Sequence, residues 1–388
     1  MPLSDSNAER NAWIGWIVLL LATAAIIVSG SGRTVVPAYR EGAVYWMAGK
    51  TIFAHPGVGG FVYLPQAAVL FIPFALLPVV AGEVLWRFVN IGVFAFGIFH
   101  FARLVGGNSR KGLFPLMTLV TLPLAWDCAR NGQATLVITG LMLLAVVDIA
   151  RTRWWRVVLW LCLGVAVKPL VIVLALLVMV IDRPLSWRLP AGMLVTALFP
   201  FLTQHPGYVL EQYAAFWSSL TKAVHVGAVD KGWTTPFNAL QLAGVSVSEK
   251  GQTLLRLAAA FGTLVLCYLS RHRHDAIRSA VFVFSLSVVY LMLFSPRTEN
   301  NTYAMLGPAI AVFLAGAYLI EHRRGEGLLL SCMAGAILGG RAIERLLTPN
   351  AGASWVSPLM AVCFTAYLLV RFFRDMQGQD DKNKAFEP

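Results

Sequence analysis

Long apolar runs, each closed by a short polar or basic cluster, repeat along the chain from residue 13 to residue 372. A helix needs about 20 apolar residues to cross the hydrocarbon of a bilayer, fewer where the protein thins it locally. On that criterion the pattern predicts spans near 13–30, 83–105, 112–127, 134–150, 155–167, 169–182, 189–204, 254–270, 278–295, 302–320, 327–341 and 355–372. The expectation is an all-α, polytopic transmembrane bundle of about twelve crossings. The first run, Trp13 to Val28, lacks a small-x-small cleavage site and reads as an uncleaved span.

Two stretches break the regular rhythm. Phe61 to Val80 is apolar enough to cross, but it carries Pro65, Pro73 and Pro78, which suit a straight helix poorly. Counting it as a span would also put Arg110/Lys111 and Arg151 to Arg156 on the outer side, so it reads as a helix that dips into the outer face and returns. Trp154 to Ile181 has basic clusters at both ends, so it must cross an even number of times. Two short helices turning at Lys168-Pro169 satisfy that, because the residue before proline disfavours helical backbone.

Composition agrees with lipid as the main solvent. Of 388 residues, 58% are hydrophobic and 13% charged, against about a quarter charged in soluble domains. The net charge of +12 sits in clusters between apolar runs (Arg151/Arg153/Arg156, Arg183/Arg188, Arg271/Arg273/Arg278, Arg323/Arg324, Arg371/Arg374). That placement is the signature of cytoplasmic loops and argues against nucleic acid as a partner. The five cysteines are scattered without metal-ligand or redox spacing, and His272 and His274 read as solvated members of a basic loop. No phosphate-binding glycine loop, dinucleotide fingerprint, zinc-protease helix or nucleophile elbow is present.

The resulting topology is one integral membrane unit, 1–388, with both termini cytoplasmic. Its outer segments are a first loop with interfacial helices at 31–82, a large loop at 205–253, and short ones at 128–133, 296–301 and 342–354. The two long segments are expected to cap a cavity. Arg40, Glu41, Tyr45, Lys50, Tyr63, Asp127, Arg130, Asn131, Gln133, Lys168, Asn238, Arg297, Glu299, Asn300 and Asn301 all fall at the outer ends of helices, and such convergence of charges and amides is what a substrate site needs. Local readings compete with it. Glu41 fits either a partly desolvated carboxylate base or a salt bridge with neighbouring Arg40. Lys168 fits a phosphate ligand or a lysine snorkelling to the interface. Asp127 and Arg130, one turn apart, fit an ion pair at a helix end. In the cluster from Ser295 to Tyr303, Arg297 is a second phosphate candidate and Glu299 a rival base, although a polar turn is also consistent. Trp217, Trp233 and Tyr213 have rings suited to stacking on sugars.

The ordered polar motifs resemble those of glycosyltransferase family 87, polytopic enzymes of the GT-C class that use polyprenyl-phosphate sugars. The family's Asp-x3-Tyr-x2-Ala aligns with Glu41, Tyr45 and Ala48, and its Tyr-x-Pro and Leu-Pro with Tyr63-Leu64-Pro65 and Leu77-Pro78. Its Gly-Gln aligns with Gly132-Gln133, its lysine between short apolar runs with Lys168, its loop asparagine with Asn238 and its Ser-Pro with Ser295-Pro296. The resemblance spans roughly residues 35–305 and implies that the acidic residue at position 41 is the general base. Two departures stand out: the acid is Glu41 in place of Asp, and Arg297, Glu299 and two asparagines follow the Ser-Pro where the family often has histidine.

What the resemblance implies is a mannosyltransferase-like enzyme, a hexosyl- or pentosyltransferase in the inner (plasma) membrane of a bacterium. It would move sugar, with inversion, from a polyprenyl-phosphate donor to a glycolipid or envelope glycan on the periplasmic side. Lys168 and Arg297 would stabilise the departing phosphate and Glu41 would take the acceptor proton. Binding would involve Arg40, Tyr45, Tyr63, Asp127, Arg130, Asn131, Gln133, Asn238, Glu299 and Asn301, with lipids as surroundings. No cofactor or metal is required, though a divalent ion bridging carboxylate and phosphate is compatible with the chemistry. The competing reading is a non-catalytic carrier or flippase for a lipid-linked substrate. A transporter should place its charges at mid-membrane in two related halves, and no internal repeat is visible. A relative that has lost catalysis and serves as a scaffold is a third.

Overall fold

The computed structural model describes residues 5–30, 34–55, 60–107, 112–225, 234–295, 298–348 and 354–384. Among these residues there are helices and no strands. In chain order the helices are α1 (Asp5–Val28), α2 (Val36–Met47), α3 (Pro65–Ala75), α4 (Val79–Gly106), α5 (Leu113–Asn131), α6 (Thr135–Ala150), α7 (Trp154–Val167), α8 (Ile172–Ile181), α9 (Leu185–Leu198), α10 (Pro206–His225), α11 (Pro236–Leu242), α12 (Glu249–Arg273), α13 (Ala276–Phe294), α14 (Leu306–Leu319), α15 (Arg324–Leu347) and α16 (Val356–Lys384).

Eight of the described helical segments are long and apolar enough to cross a membrane, those of α1, α4, α9, α12, α13, α14, α15 and α16. The other four expected spans are also helical: α5 has 19 residues, α6 16, α7 14 and α8 10. The fold is therefore a polytopic all-α bundle. Its centre is α6, every residue of which from Thr135 to Ile149 is buried. Small residues let α4 approach it closely: a Cβ on Gly140 would sit 2.4 Å from the Val93 carbonyl oxygen, and one on Gly97 2.7 Å from that of Gly140. Without a hydrophobic drive between helices in lipid, backbone approach of this kind sustains association.

Phe61 to Val80 does not form one continuous helix: it holds the short α3 and the start of α4. α3 has 11 residues, about 16 Å at 1.5 Å per residue, roughly half a hydrocarbon core. The chain breaks at 76–78 before α4 begins, and α3 lies on α2.

The second irregular stretch breaks at Lys168-Pro169, where Lys168 is extended (φ −151°, ψ 122°) and a 3-10 turn leads into α8. α7 and α9 then run parallel. Trp155 of α7 meets Trp187 of α9, and further along Val158 and Cys162 face Gly192. α8 must return between them, so Arg153/Arg156 and Arg183/Arg188 share one end of the bundle.

That basic end is tied by ion pairs. Arg103 meets Glu9 at 2.9 Å, Arg156 meets Asp148 at 2.9 Å and Arg271 meets Asp182 at 2.8 Å. His274 departs from the solvated-loop expectation. It is buried, stacked on Phe282 with Phe372 edge-on. Cys128, Cys162 and Cys267 are buried free thiols, whereas Cys332 is exposed on α15.

At the opposite end, the loop segments around 34–55 and 199–216 fold together over α3. Trp46, Ile52, Phe61, Ala68, Val69 and Val209 form a separate small core. Side chains of one segment satisfy groups of the other: Gln212 accepts from the Ile52 amide (3.0 Å), Trp46 donates to Thr203 (3.1 Å), and Tyr208 donates to the Lys50 carbonyl (2.7 Å). Burial pushes the Tyr208 hydroxyl up to about 12. Tyr213 is also committed to this cap, accepting from Gln66 and donating to the Ala197 carbonyl (2.7 Å each), so its hydroxyl serves structure. Trp217 is exposed, and Trp233 lies outside the described residues.

Candidate functional site

The polar residues at the capped end fall into two neighbouring groups. The deeper one is built on the turn between α5 and α6, where four consecutive carbonyls are each engaged. Arg87 donates to the Arg130 oxygen (3.1 Å), the Val35 amide to that of Asn131 (3.0 Å), Trp86 to that of Gly132 (2.7 Å) and Asn90 to that of Gln133 (2.7 Å). Asn90 also accepts from the Val137 amide (2.7 Å), satisfying a donor in the first turn of α6 that no helical carbonyl reaches. Trp86, Arg87 and Asn90 share one face of α4, as their spacing requires. Gly132 closes the turn at φ +69°, and a Cβ there would lie 2.6 Å from Val36 and 2.8 Å from the Arg87 guanidinium carbon. Only glycine fits.

This pinned turn presents Gln133, whose side-chain amide donates to Glu299 at 2.5 Å. The segment bearing Glu299 is held from several sides. Cys128 donates to the Asn301 carbonyl (3.1 Å), Ser357 of α16 donates to the Asn300 side chain (2.9 Å), and Arg341 of α15 approaches the Asn301 side chain at 3.5 Å. The Thr234 amide donates to the Thr298 carbonyl (2.7 Å), which docks the start of α11 here. Asn238 is buried in the first turn of α11, its amide donating to the Thr235 hydroxyl that caps the helix. Lys168 comes in from the helix break, its ammonium 3.4 Å from the Thr135 hydroxyl at the start of α6.

The second group lies on α2. Glu41 pairs with Nδ1 of His55 at 2.9 Å, and the side chains are 33% and 66% exposed. Tyr45 lies one turn on, and the Glu41 carboxylate raises its phenol above the ordinary tyrosine range. Arg40 does not pair with Glu41. It turns the other way and donates to the Phe74 carbonyl at the end of α3 (3.3 Å), because consecutive helical residues point about 100° apart. Tyr39 joins the two groups: its hydroxyl lies 3.2 Å from that of Tyr63 and accepts from the Ala134 amide (3.3 Å), next to Gln133.

Asp127 and Arg130 pair with each other at 3.5 Å, as a helix-end ion pair, and both are about 40% exposed. Asn131 contributes its backbone carbonyl. Arg297 lies outside the described residues. Among the described residues, no group of three or more His, Cys, Asp or Glu could hold a metal ion.

Trp86, Arg87, Asn90 and His55 were not anticipated. Arg87 and Asn90 sit within an apolar span as a charge and an amide, which is the usual mark of a functional or partnered group inside a membrane. His55 carries no such local signal.

No curated protein matches the chain. A family model covering residues 61–296, more than half of the sequence, does match, with Glu41 lying before the matched stretch and Glu299 just after it. The chain belongs to glycosyltransferase family 87, the membrane glycosyltransferases of GT-C type.

Proposed function

We propose that the protein transfers a sugar, with inversion, from a polyprenyl-phosphate donor to a glycolipid or envelope glycan. The observation that carries this reading is the convergence of Gln133, Glu299 and Lys168 at one capped end of a family 87 bundle. An enzyme working away from cytoplasmic nucleotide sugars needs a lipid-borne donor. An open groove of about 880 Å³ beside the site suits its chain. Pro236, Leu240, Leu242, Trp355, Leu359 and Val362 line it, and its α16 wall carries, next to Pro358, the buried Ser357 that bonds Asn300.

The chemistry follows from the placement of charge. Lys168 stands at the N-terminus of α6, where the helix dipole adds partial positive charge, so the two together favour a phosphate leaving with its electron pair. Gln133 and Glu299 are arranged to accept and donate hydrogen bonds to sugar hydroxyls. Glu41 is accessible from outside the bundle and takes the proton of the acceptor hydroxyl as the new glycosidic bond forms. The arginine-rich end with its ion pairs supports an orientation with both termini in the cytoplasm and the site on the periplasmic side of a bacterial inner membrane.

The test is sugar transfer by purified protein from a panel of synthetic polyprenyl-phosphate hexoses and pentoses, beside Glu41→Gln. Transfer abolished by the substitution supports both the class and the base. Full transfer by Glu41→Gln removes Glu41 from the role and moves it to Glu299.

A further inference from the structure

We infer that His55 is a positioning residue that holds the Glu41 carboxylate in its reactive orientation. The inference rests on Glu41 being the base. A glutamate side chain has three rotatable bonds, and at 33% exposure no packing fixes the end of this one. Its carboxylate is held at Oε1 instead, by Nδ1 of His55 at 2.9 Å. The elements beneath the loop carrying His55 present uncharged groups: Phe61 before α3, and Gln212 and Phe216 of α10, against Ile52 and Phe53. Arg40, next to Glu41 in sequence, is turned to α3. Glu41 is thus the acidic partner that the described contacts give His55, and an imidazole that is 66% exposed contributes little packing to the fold. Holding the carboxylate at one oxygen leaves the other free for the acceptor hydroxyl. A base allowed to swing loses the near-attack geometry on which the rate depends.

The experiment measures transfer from the same synthetic polyprenyl-phosphate sugars by His55→Ala, His55→Asn, Glu41→Asp and the double variant Glu41→Asp/His55→Ala. His55→Ala should lower kcat about tenfold with the donor KM unchanged, as expected for a misplaced catalytic group. His55→Asn should recover most of the rate, since its amide offers an N–H close to the position of Nδ1. Glu41→Asp withdraws the carboxylate by one carbon, so removing His55 in that background should cost nothing more. Unchanged kcat in His55→Ala, or losses that simply multiply in the double variant, would overturn the positioning role. Both results leave Glu41 as the base if Glu41→Gln is inactive, whereas an active Glu41→Gln overturns the base reading and the positioning role with it.

Discussion

The side-chain amide of Gln133 donates to the carboxylate of Glu299 at 2.5 Å, joining the start of α6 to the loop after α13 across 166 residues of sequence. Neither residue is held by this bond alone. Gln133 is fixed from behind by Asn90 and Glu299 stands in a segment tied to Cys128 and Ser357. The bond therefore aligns two rigid walls of one site.

If that alignment matters for substrate, Gln133→Ala and Glu299→Gln should each lower kcat/KM for transfer by at least about tenfold, and the double variant should be little worse than either. Thermal unfolding in detergent should shift by no more than about 1–2 kcal/mol. A large stability loss with normal transfer would make the pair structural.

Arg87 is fully buried and bonds to Glu83 at 3.0 Å, to the Thr34 hydroxyl at 2.9 Å and to the Arg130 carbonyl. Removing it leaves a buried carboxylate and the Arg130 carbonyl without this partner, while the Thr34 hydroxyl keeps the Val36 amide and the Asn131 carbonyl. Arg87→Ala should cost about 3–5 kcal/mol of stability, read as a lowered unfolding midpoint. Adding Glu83→Leu should recover part of that loss, because the stranded charge is gone.

Lys168→Met keeps the length of the stem and removes the charge. If the ammonium receives the donor phosphate, the donor KM should rise about tenfold or more while the acceptor KM stays put. Titration with a non-transferable polyprenyl phosphate provides the check. Unchanged donor binding would assign Lys168 to the interface and to Thr135.

Glu321, between α14 and α15, supplies a prediction for pH. Burial pushes its carboxyl up, but the hydrogen bonds and charge of Arg371, with Arg323, outweigh this and hold it below the ordinary glutamate range. One Arg371 bond measures 2.6 Å. A carboxyl depressed in the folded state stabilises above its unfolded pKa, near 4.3, and loses that contribution as pH falls through the lower folded value. Unfolding midpoints should therefore drop in acid, and Glu321→Gln should show a shallower acid dependence while being less stable at neutral pH.

The helices, the basic end, the shortness of α3 and the break at Lys168-Pro169 were legible in the amino-acid order. Each follows from a local cause: the length of an apolar run against the thickness of a bilayer, the side on which arginine clusters lie, or the backbone before a proline. Pairings between distant segments had no such local cause. That Arg87 and Asn90 of α4 would hold the turn at Gly132 depends on two glycines letting α4 and α6 cross closely. That Glu41 would meet His55 and not Arg40 depends on which face of α2 the cap covers. His274 is buried for the same reason, since only the packing of α13 against α16 encloses it. Hydrophobic pattern states how deep a residue sits, and only the close packing of particular helices decides what it touches.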